Sequence, residues 1–219
     1  VIVPSKYLKG IVQKWGIAED KIKVIYNTFE GIGGSEKTKH LNLTGRVITS
    51  SGRLVPWKGF LVLIDCVHEL IKKFPDLKLF IIGDGPDRDT LKRRIQLLNL
   101  EQHVFLTGSL NKATLYEYIE KSLVFVLNTG YEGFSHQILE VLHLGTPLVT
   151  TNVGGNPEII HNGENGILVS CNNQNELCQA VEKMLLDDVF AKRCTLRGKE
   201  TVTQFSVEKT IEPLVTLLT

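Results

Sequence analysis

The stretch LVFVLNTGYEGFSHQILEVLHLG, residues 123–145, decides the fold. Its first five residues, 123–127, are all apolar, which is typical of a strand buried on both faces of a parallel sheet. A polar turn follows, and apolar residues then recur at helical spacing up to Gly145, a residue type favoured just after the C-terminus of a helix. The stretch therefore predicts a strand, a turn and a helix over residues 134–144.

Short apolar runs alternate with helical patterns on both sides of this stretch. The other predicted strands cover residues 47–50, 77–82, 104–106, 147–150 and 166–169, and helical patterns lie between them. Repeated strand–helix units imply right-handed crossovers and helices on both faces of one sheet. We therefore predict an α/β fold with a doubly wound, mostly parallel, Rossmann-like sheet.

The two ends of the chain do not follow this alternation. Residues 1–24 predict a strand, a helix and a strand, and residues 206–218 predict an amphipathic helix. We therefore divide the chain into four parts, which are an N-terminal segment at 1–30, a linker at 31–45, the sheet-forming unit at 46–205 and a last helix at 206–219. We expect both ends to contact a partner domain. Because the chain starts in a strand-like run without an initiator Met, we also expect it to be a piece of a longer protein.

The composition narrows the class of protein. Lys and Arg number 25 and Asp and Glu number 24, which argues against a general nucleic-acid-binding surface but allows one local phosphate site. The four cysteines form no Cys-x-x-Cys pair and no His cluster has metal-ligand spacing, so we expect free thiols in a reducing compartment. No apolar run reaches the roughly 20 residues of a membrane span. A cytoplasmic location is therefore expected.

Two cations follow the first predicted strand of the sheet, in the segment 52–59. Arg53 has a planar guanidinium that suits a phosphate, and Lys58 adds a point charge at the N-terminal side of the next helix. Ligands of doubly wound sheets bind beyond the carboxyl ends of the strands, and helix N-termini attract anions. The two residues are a candidate diphosphate site, with two solvated surface cations as the alternative.

Glu132 and Glu140 lie in the turn and in the helix that follow the strand 123–127. The unpaired backbone N–H groups at the start of that helix point back at the turn, where an anion can bind. A carboxylate accepts hydrogen bonds from neighbouring hydroxyls, so each glutamate is a candidate for a sugar or ribose diol. Alternatively, Glu132 only interacts with the dipole of the helix that follows it. Glu140, about two turns inside that helix, is then an exposed side chain. The apolar neighbours of Glu140 argue against exposure.

Two glycine-rich turns also follow predicted strands. Gly83-Asp84-Gly85 is not a Gly-x-Gly-x-x-Gly fingerprint, because Arg88 stands at its last position, and this argues against a dinucleotide site. The pair Gly154-Gly155 can approach either a ligand or another segment of backbone. The sequence leaves both readings of this pair open.

In their order along the chain these motifs resemble the retaining GT-B glycosyltransferases, in the glycogen-synthase-like and mannosyltransferase-like group 1. The matching segments are Gly52-Arg53-Leu54 with Lys58-Gly59, 82–86, 104–108, Glu132-Gly133-Phe134 with Glu140, Gly145-Thr146-Pro147 and 154–160. The Glu-x7-Glu spacing is the most specific of them. The resemblance implies a C-terminal donor-binding domain, with 1–30 as the tail of an N-terminal domain and hinge, and 206–219 as a cross-over helix.

The resemblance also implies roles for the site residues. Arg53, Lys58 and Glu132 are expected to act in catalysis, the two cations on the donor diphosphate and Glu132 on the hydroxyls of the donor sugar. Glu140 is expected to bind the ribose diol. The other implied donor contacts are Gly133, Phe134 and Ser135 at the sugar and phosphate, and Thr107, Gly108, Ser109 and Leu110 beside the base.

The implied activity is transfer of a hexose from a nucleotide-diphosphate sugar, UDP- or GDP-linked, to a glycan, lipid or small molecule, with retention of configuration. No metal or cofactor is implied, since cationic side chains and a helix N-terminus take the place of a metal ion at the diphosphate. The acceptor site is expected in the N-terminal domain, so this chain alone is expected to bind the donor without transferring sugar. Peripheral association of the full enzyme with the inner face of a membrane is a further expectation. A nucleotide-sugar epimerase and a non-catalytic binding module remain as alternatives.

Overall fold

The computed structural model describes residues 1–31 and 41–218. Within these residues the strands are β1 Ile2–Val3, β2 Lys23–Val24, β3 Arg46–Ser51, β4 Leu77–Ile82, β5 Val104–Gly108, β6 Val124–Leu127, β7 Leu148–Thr151 and β8 Ile167–Val169. The α-helices are α1 Lys6–Lys14, α2 Phe60–Leu70, α3 Arg88–Leu97, α4 Lys112–Glu120, α5 His136–Leu144, α6 Gln174–Leu186, α7 Asp188–Val202 and α8 Val207–Leu218. Most of the linker predicted at 31–45 lies outside the described residues.

Six parallel strands form the main sheet, in the order β5-β4-β3-β6-β7-β8. This arrangement confirms the predicted doubly wound, Rossmann-like sheet. The chain proceeds from β3 outward to β4 and β5, then returns to the middle and continues outward through β6, β7 and β8. The direction therefore reverses between β3 and β6, and the crevice at the carboxyl ends of such neighbouring strands is where ligands bind in open α/β sheets.

The central strand β6 explains why the sheet has helices on both faces. All four of its residues are buried. Val124 and Val126 belong to one apolar cluster, which includes residues of α2 and α6, whereas Phe125 and Leu127 belong to a second cluster, which includes residues of α5. Side chains alternate between the faces of a strand, so an uninterrupted apolar run is what two covered faces require.

Residues 1–24 form a small unit beside the sheet. β1 pairs in parallel with β2 only, apart from the six-stranded sheet. Val3, Val12 and Ile22 are buried in an apolar cluster of their own. The assignment of this unit to the tail of another domain stays a prediction.

The helix after β6 begins later than the sequence pattern predicts. It was expected from residue 134, but α5 starts at His136, because Ser135 has an extended backbone and its side chain caps the helix by accepting a hydrogen bond from the N–H of Ile138 at 3.3 Å. Phe134 is thus outside the helix. Its ring is buried and packs against the rings of Tyr26 and Phe205.

Replacing Leu63 in α2 by Ala is expected to lower the free energy of unfolding by about 2–5 kcal/mol, since Leu63 is fully buried in the first apolar cluster. Urea unfolding followed by circular dichroism measures this change. Leu61→Ala is the matched control, because Leu61 lies on the same helix and is 39% exposed. Its effect should stay within about 0.5 kcal/mol. Equal losses in the two variants would contradict the orientation of α2.

Candidate functional site

Two loops meet at the reversal between β3 and β6. One follows β3 and contains residues 52–59, and the other follows β6 and contains residues 128–135. The N–H of Gly130 donates to the carbonyl of Trp57 at 2.6 Å, and the side-chain amide of Asn128 donates to the carbonyl of Gly59 at 3.0 Å. A Cβ atom on Gly59 would lie 2.2 Å from the Asn128 carbonyl oxygen. The absence of a side chain at Gly59 therefore lets the two loops touch.

Lys58 and Glu132 form an ion pair between these loops. The Lys58 Nζ lies 3.1 Å from Glu132 Oε2, and each side chain is 20% exposed. The two charges partly neutralise each other while both keep contact with the crevice. The structure thus brings together the predicted phosphate cation and the predicted sugar carboxylate.

Arg53 lies in the same loop after β3 but is not joined to this pair. Its side chain is exposed and makes no hydrogen bond or ion pair with the described residues. Its guanidinium therefore remains able to bind an anion at the edge of the crevice. Whether it acts together with Lys58 stays a prediction.

The glycine pair Gly154-Gly155 supports the loop that carries Glu132. The N–H of Gly155 donates to the carbonyl of Glu132 at 2.9 Å. A Cβ atom on Gly154, whose φ is 56°, would lie 1.8 Å from that same carbonyl oxygen. Of the two readings that the sequence left open, the structure shows close approach to another backbone segment.

The N-terminus of α5 opens onto the crevice beside Glu132. Ser135 is buried and caps the helix, and the side-chain amide of Gln137 donates to the hydroxyl of Ser51 at the end of β3. The first turn of α5 is thereby tied to the strand that leads to Lys58. Helix N-termini carry partial positive charge and unpaired N–H groups, so this end of α5 favours an anion next to the ion pair.

Glu140 lies on the same helix but has partners of its own. The hydroxyl of Tyr116 donates to Glu140 Oε1 at 2.8 Å, and the Lys112 Nζ lies 3.2 Å from the same oxygen. The Glu140 side chain is 16% exposed, so the alternative of an exposed helix side chain is wrong. It is the fifth residue of α5, about one turn inside the helix rather than two. Hydrogen bonds with Tyr116 and Glu140 raise the pKa of Lys112.

The segment predicted beside the base lies at the end of the edge strand β5. Thr107 and Gly108 are the last residues of β5, and Ser109 and Leu110 follow it. The N–H of Gly83 donates to the carbonyl of Gly108 at 2.9 Å. These residues lie at the same carboxyl edge of the sheet as Lys58 and Glu132. Their strand, β5, is separated from β3 by β4. Their contact with a base stays a prediction.

Several residues around the site were missed by sequence reasoning. Tyr116 and Lys112 lie on α4, and nothing in their own segment indicates that they face Glu140. Arg88 was noted only for breaking a glycine fingerprint, yet its Nη2 donates to the carbonyl of Leu106 at 3.3 Å. Its Nη1 is buried and has no hydrogen-bond partner among the residues that the structure describes. Glu158 binds the N-terminus of α1. The sequence showed only that a carboxylate follows Pro157 in the matched segment 154–160, and this does not identify its partner.

The described residues contain neither a metal-ligand cluster nor a membrane-spanning helix. No group of three or more His, Cys, Asp and Glu side chains is arranged as a metal site in residues 1–31 and 41–218. No helix in that part of the chain has the length and apolar character needed to cross a membrane. Independence from metals stays a prediction.

Comparison with known proteins assigns the fold and the family. The family model "Glycosyl transferases group 1" matches residues 35–201. Among curated proteins, N-acetylgalactosamine-N,N'-diacetylbacillosaminyl-diphospho-undecaprenol 4-alpha-N-acetylgalactosaminyltransferase of Campylobacter jejuni is 33% identical over 92% of this chain and 54% of its own length. The 2-deoxystreptamine N-acetyl-D-glucosaminyltransferase of Niallia circulans is 28% identical over 70% of this chain and 40% of its own length.

A solved structure extends the comparison to the whole fold. Anabaena HepE in complex with UDP superposes with a TM-score of 0.87 at 23% identity, over 100% of this chain and 63% of that one. The chain spans about half the length of the curated relatives it matches, 54% of one and 40% of the other. With the family match covering most of its residues, this chain belongs to the group 1 glycosyltransferases and has the Rossmann-like fold of a GT-B domain.

Proposed function

We propose that this chain binds the nucleotide-diphosphate sugar donor of a retaining hexosyltransferase. The observation that carries the proposal is the Lys58–Glu132 ion pair at the reversal between β3 and β6. A cation for a phosphate and a carboxylate for sugar hydroxyls lie side by side there. The bond that breaks in sugar transfer joins these two parts of the donor.

In this proposal each residue acts on one part of the donor. Lys58, with Arg53 at the rim and the N-terminus of α5, stabilises the negative charge that develops on the departing diphosphate. Glu132 holds hydroxyls of the sugar, and the backbone of Gly133, Phe134 and Ser135 supports the sugar and phosphate. Because fixed charges supply the stabilisation, the proposed reaction needs no metal ion or cofactor.

The nucleoside is proposed to extend from this point along the carboxyl edge of the sheet. Tyr116 and Lys112 both contact Oε1 of Glu140, so Oε2 can accept a hydrogen bond from a ribose hydroxyl. Thr107 to Leu110, at the end of β5, are placed beside the base. HepE, which shares the fold, was solved with UDP, and this supports UDP as the first nucleotide to test.

The acceptor is proposed to be a glycan, a lipid or a small molecule. The names of the relatives include a diphospho-undecaprenol-linked compound and 2-deoxystreptamine, so they do not narrow the class of acceptor. Incubation of the full enzyme with a nucleotide-sugar and a panel of acceptors tests transfer directly. A new glycoside with the donor's anomeric configuration is expected, and an epimerised donor with no glycoside would overturn the proposal.

Lys58→Ala is expected to weaken UDP binding by about 1.5–3 kcal/mol, the range for a hydrogen bond to a charged group. Isothermal titration calorimetry measures this change. Uridine binding should be almost unchanged, because uridine has no diphosphate. Lys92→Ala is the matched control, since Lys92 is exposed on α3. Equal UDP affinity of Lys58→Ala and the wild-type chain would contradict the assignment of Lys58 to the diphosphate.

Glu140→Gln and Glu132→Gln are expected to separate the two carboxylates by function. Glu140→Gln keeps the shape but loses the charge that accepts the ribose diol, so uridine and UDP should both bind more weakly. Glu132→Gln should leave UDP affinity nearly intact, because UDP has no hexose, and should lower kcat of the full enzyme through misplaced sugar hydroxyls. Calorimetry with uridine and UDP, together with steady-state kinetics, measures both effects.

Melting curves of both variants control for simple loss of stability. A structural Glu140 would give a lower melting temperature with unchanged affinity in the folded fraction. If Glu132→Gln abolished UDP binding while Glu140→Gln changed nothing, the two assignments would be reversed.

A further inference from the structure

Glu158 joins the N-terminal unit of residues 1–24 to the loops of the site. It ends the short 3₁₀ turn Asn156–Glu158, and its carboxylate accepts hydrogen bonds from the backbone N–H groups of Lys6 and Tyr7, each at 2.8 Å. It also accepts a hydrogen bond from the Tyr26 hydroxyl at 3.0 Å. One half-buried carboxylate therefore holds three donors that are 132 to 152 residues away in sequence.

The hydrogen bonds to Lys6 and Tyr7 complete the N-terminus of α1. The first backbone N–H groups of a helix have no partner within the helix. The buried Ser5 side chain accepts a hydrogen bond from the N–H of Leu8, at 3.1 Å. Glu158 satisfies two further donors, and its negative charge also suits the positive end of the helix dipole. The helix is thus fully capped only when residues 1–24 are docked on Glu158.

The backbone that carries Glu158 leads directly to Glu132. Gly155 stands three residues before Glu158, and its N–H donates to the Glu132 carbonyl at 2.9 Å. The turn Asn156–Glu158 lies between these two contacts, and Asn156 is fully buried, with its amide bonded to the Thr151 carbonyl at 3.1 Å. The connection between the α1 cap and the Glu132 loop is therefore short, and hydrogen bonds of Gly155 and Asn156 hold it in place.

The docked N-terminal segment also contacts the site loop from its other side. A Cβ atom on Gly133 would lie 3.1 Å from Leu8 Cδ1, so α1 presses directly on this glycine. The ring of Tyr26 packs on the ring of Phe134 with their centroids 5.3 Å apart. Burial, followed by the hydrogen bond with Glu158, raises the pKa of Tyr26 to about 12. Tyr26 therefore stays a neutral donor at physiological pH.

We infer that Glu158 is a positioning residue that couples the docking of residues 1–24 to the conformation of the donor loop 132–135. The inference rests on the proposed function, since the loop matters only if it holds a donor. Because coupling between two equilibria is reciprocal, a nucleotide that orders the loop must strengthen the cap on α1. A carboxylate that merely stabilised the fold would show no such response in amides that exchange by local opening of α1.

The test measures hydrogen exchange and UDP affinity on the same chain. In the wild-type chain, saturating UDP should slow exchange of the Lys6 and Tyr7 amides by about fivefold or more, the lower range of typical coupling. In Glu158→Ala these amides should exchange at least about tenfold faster than in the wild-type chain, since each loses a charged hydrogen bond. UDP should no longer affect them, and its Kd should rise by about fivefold.

Three further variants keep the result interpretable. Glu164→Gln removes an exposed carboxylate from the loop that follows Glu158 and should behave as wild type. Tyr26→Phe leaves both bonds to α1 in place, so protection of Lys6 and Tyr7 should persist. Glu158→Gln keeps one acceptor oxygen and the side-chain volume, and its effects should be intermediate. It replaces Glu158→Ala as the decisive variant if melting curves show that the latter does not fold.

The outcomes separate this inference from the proposed function. If the wild-type chain does not bind UDP or another nucleoside diphosphate, the proposed function fails. If it binds UDP without slowing exchange of Lys6 and Tyr7, or if the Glu158 variants bind UDP as tightly as wild type, the coupling is wrong and the proposed function stands. The coupling is supported if UDP slows exchange of the Lys6 and Tyr7 amides in the wild-type chain but not in Glu158→Ala.

Discussion

The parallel pairing of β3 with β6 is the constraint on which the site depends. The chain moves outward from β3 in one direction and outward from β6 in the other, so this is the place where loops from the two halves of the sheet leave neighbouring strand ends. Lys58 and Glu132 are 74 residues apart in sequence and 3.1 Å apart in space for this reason. Gly59 lets the two loops come together, because a Cβ atom there would lie 2.2 Å from the Asn128 carbonyl oxygen.

The sheet and the two site glutamates could be predicted because their signals are local. An all-apolar strand with both faces covered is visible in five consecutive residues, 123–127, and Glu132 and Glu140 follow it within one strand–turn–helix unit. The helix α7 carried no such signal and was missed. Its buried positions include Ala191, Cys194 and Gly198, small residues that form a weak apolar stripe. Gly198 lets the helix approach the side chain of Leu142, which a larger residue would prevent.

The contacts that connect distant segments could not be predicted. Nothing near Gly154 states that it will meet the carbonyl of Glu132, and nothing near Glu158 indicates the N-terminus of α1, 151 residues away at Tyr7. Each group has several chemically suitable partners in the chain, and the choice among them follows from how the loops pack after the sheet has formed. The late start of α5 has a local cause, since Ser135 caps the helix instead of lying inside it. The apolar pattern continues through this position, so the sequence alone does not show where the helix begins.

The ion pair of Lys58 with Glu132 also explains how a preorganised site can still exchange partners. Holding both side chains in one geometry removes part of the entropy that ordering them on a ligand would cost. An ion pair that keeps contact with water contributes little net stability, about 0–1 kcal/mol at the surface, and each of these side chains is 20% exposed. In the proposed function a diphosphate would therefore replace Glu132 as the partner of Lys58 at small cost, and the released carboxylate would be free for the sugar that the same diphosphate carries. Deeper burial of the pair would raise that cost, so the partial exposure of both side chains suits the exchange.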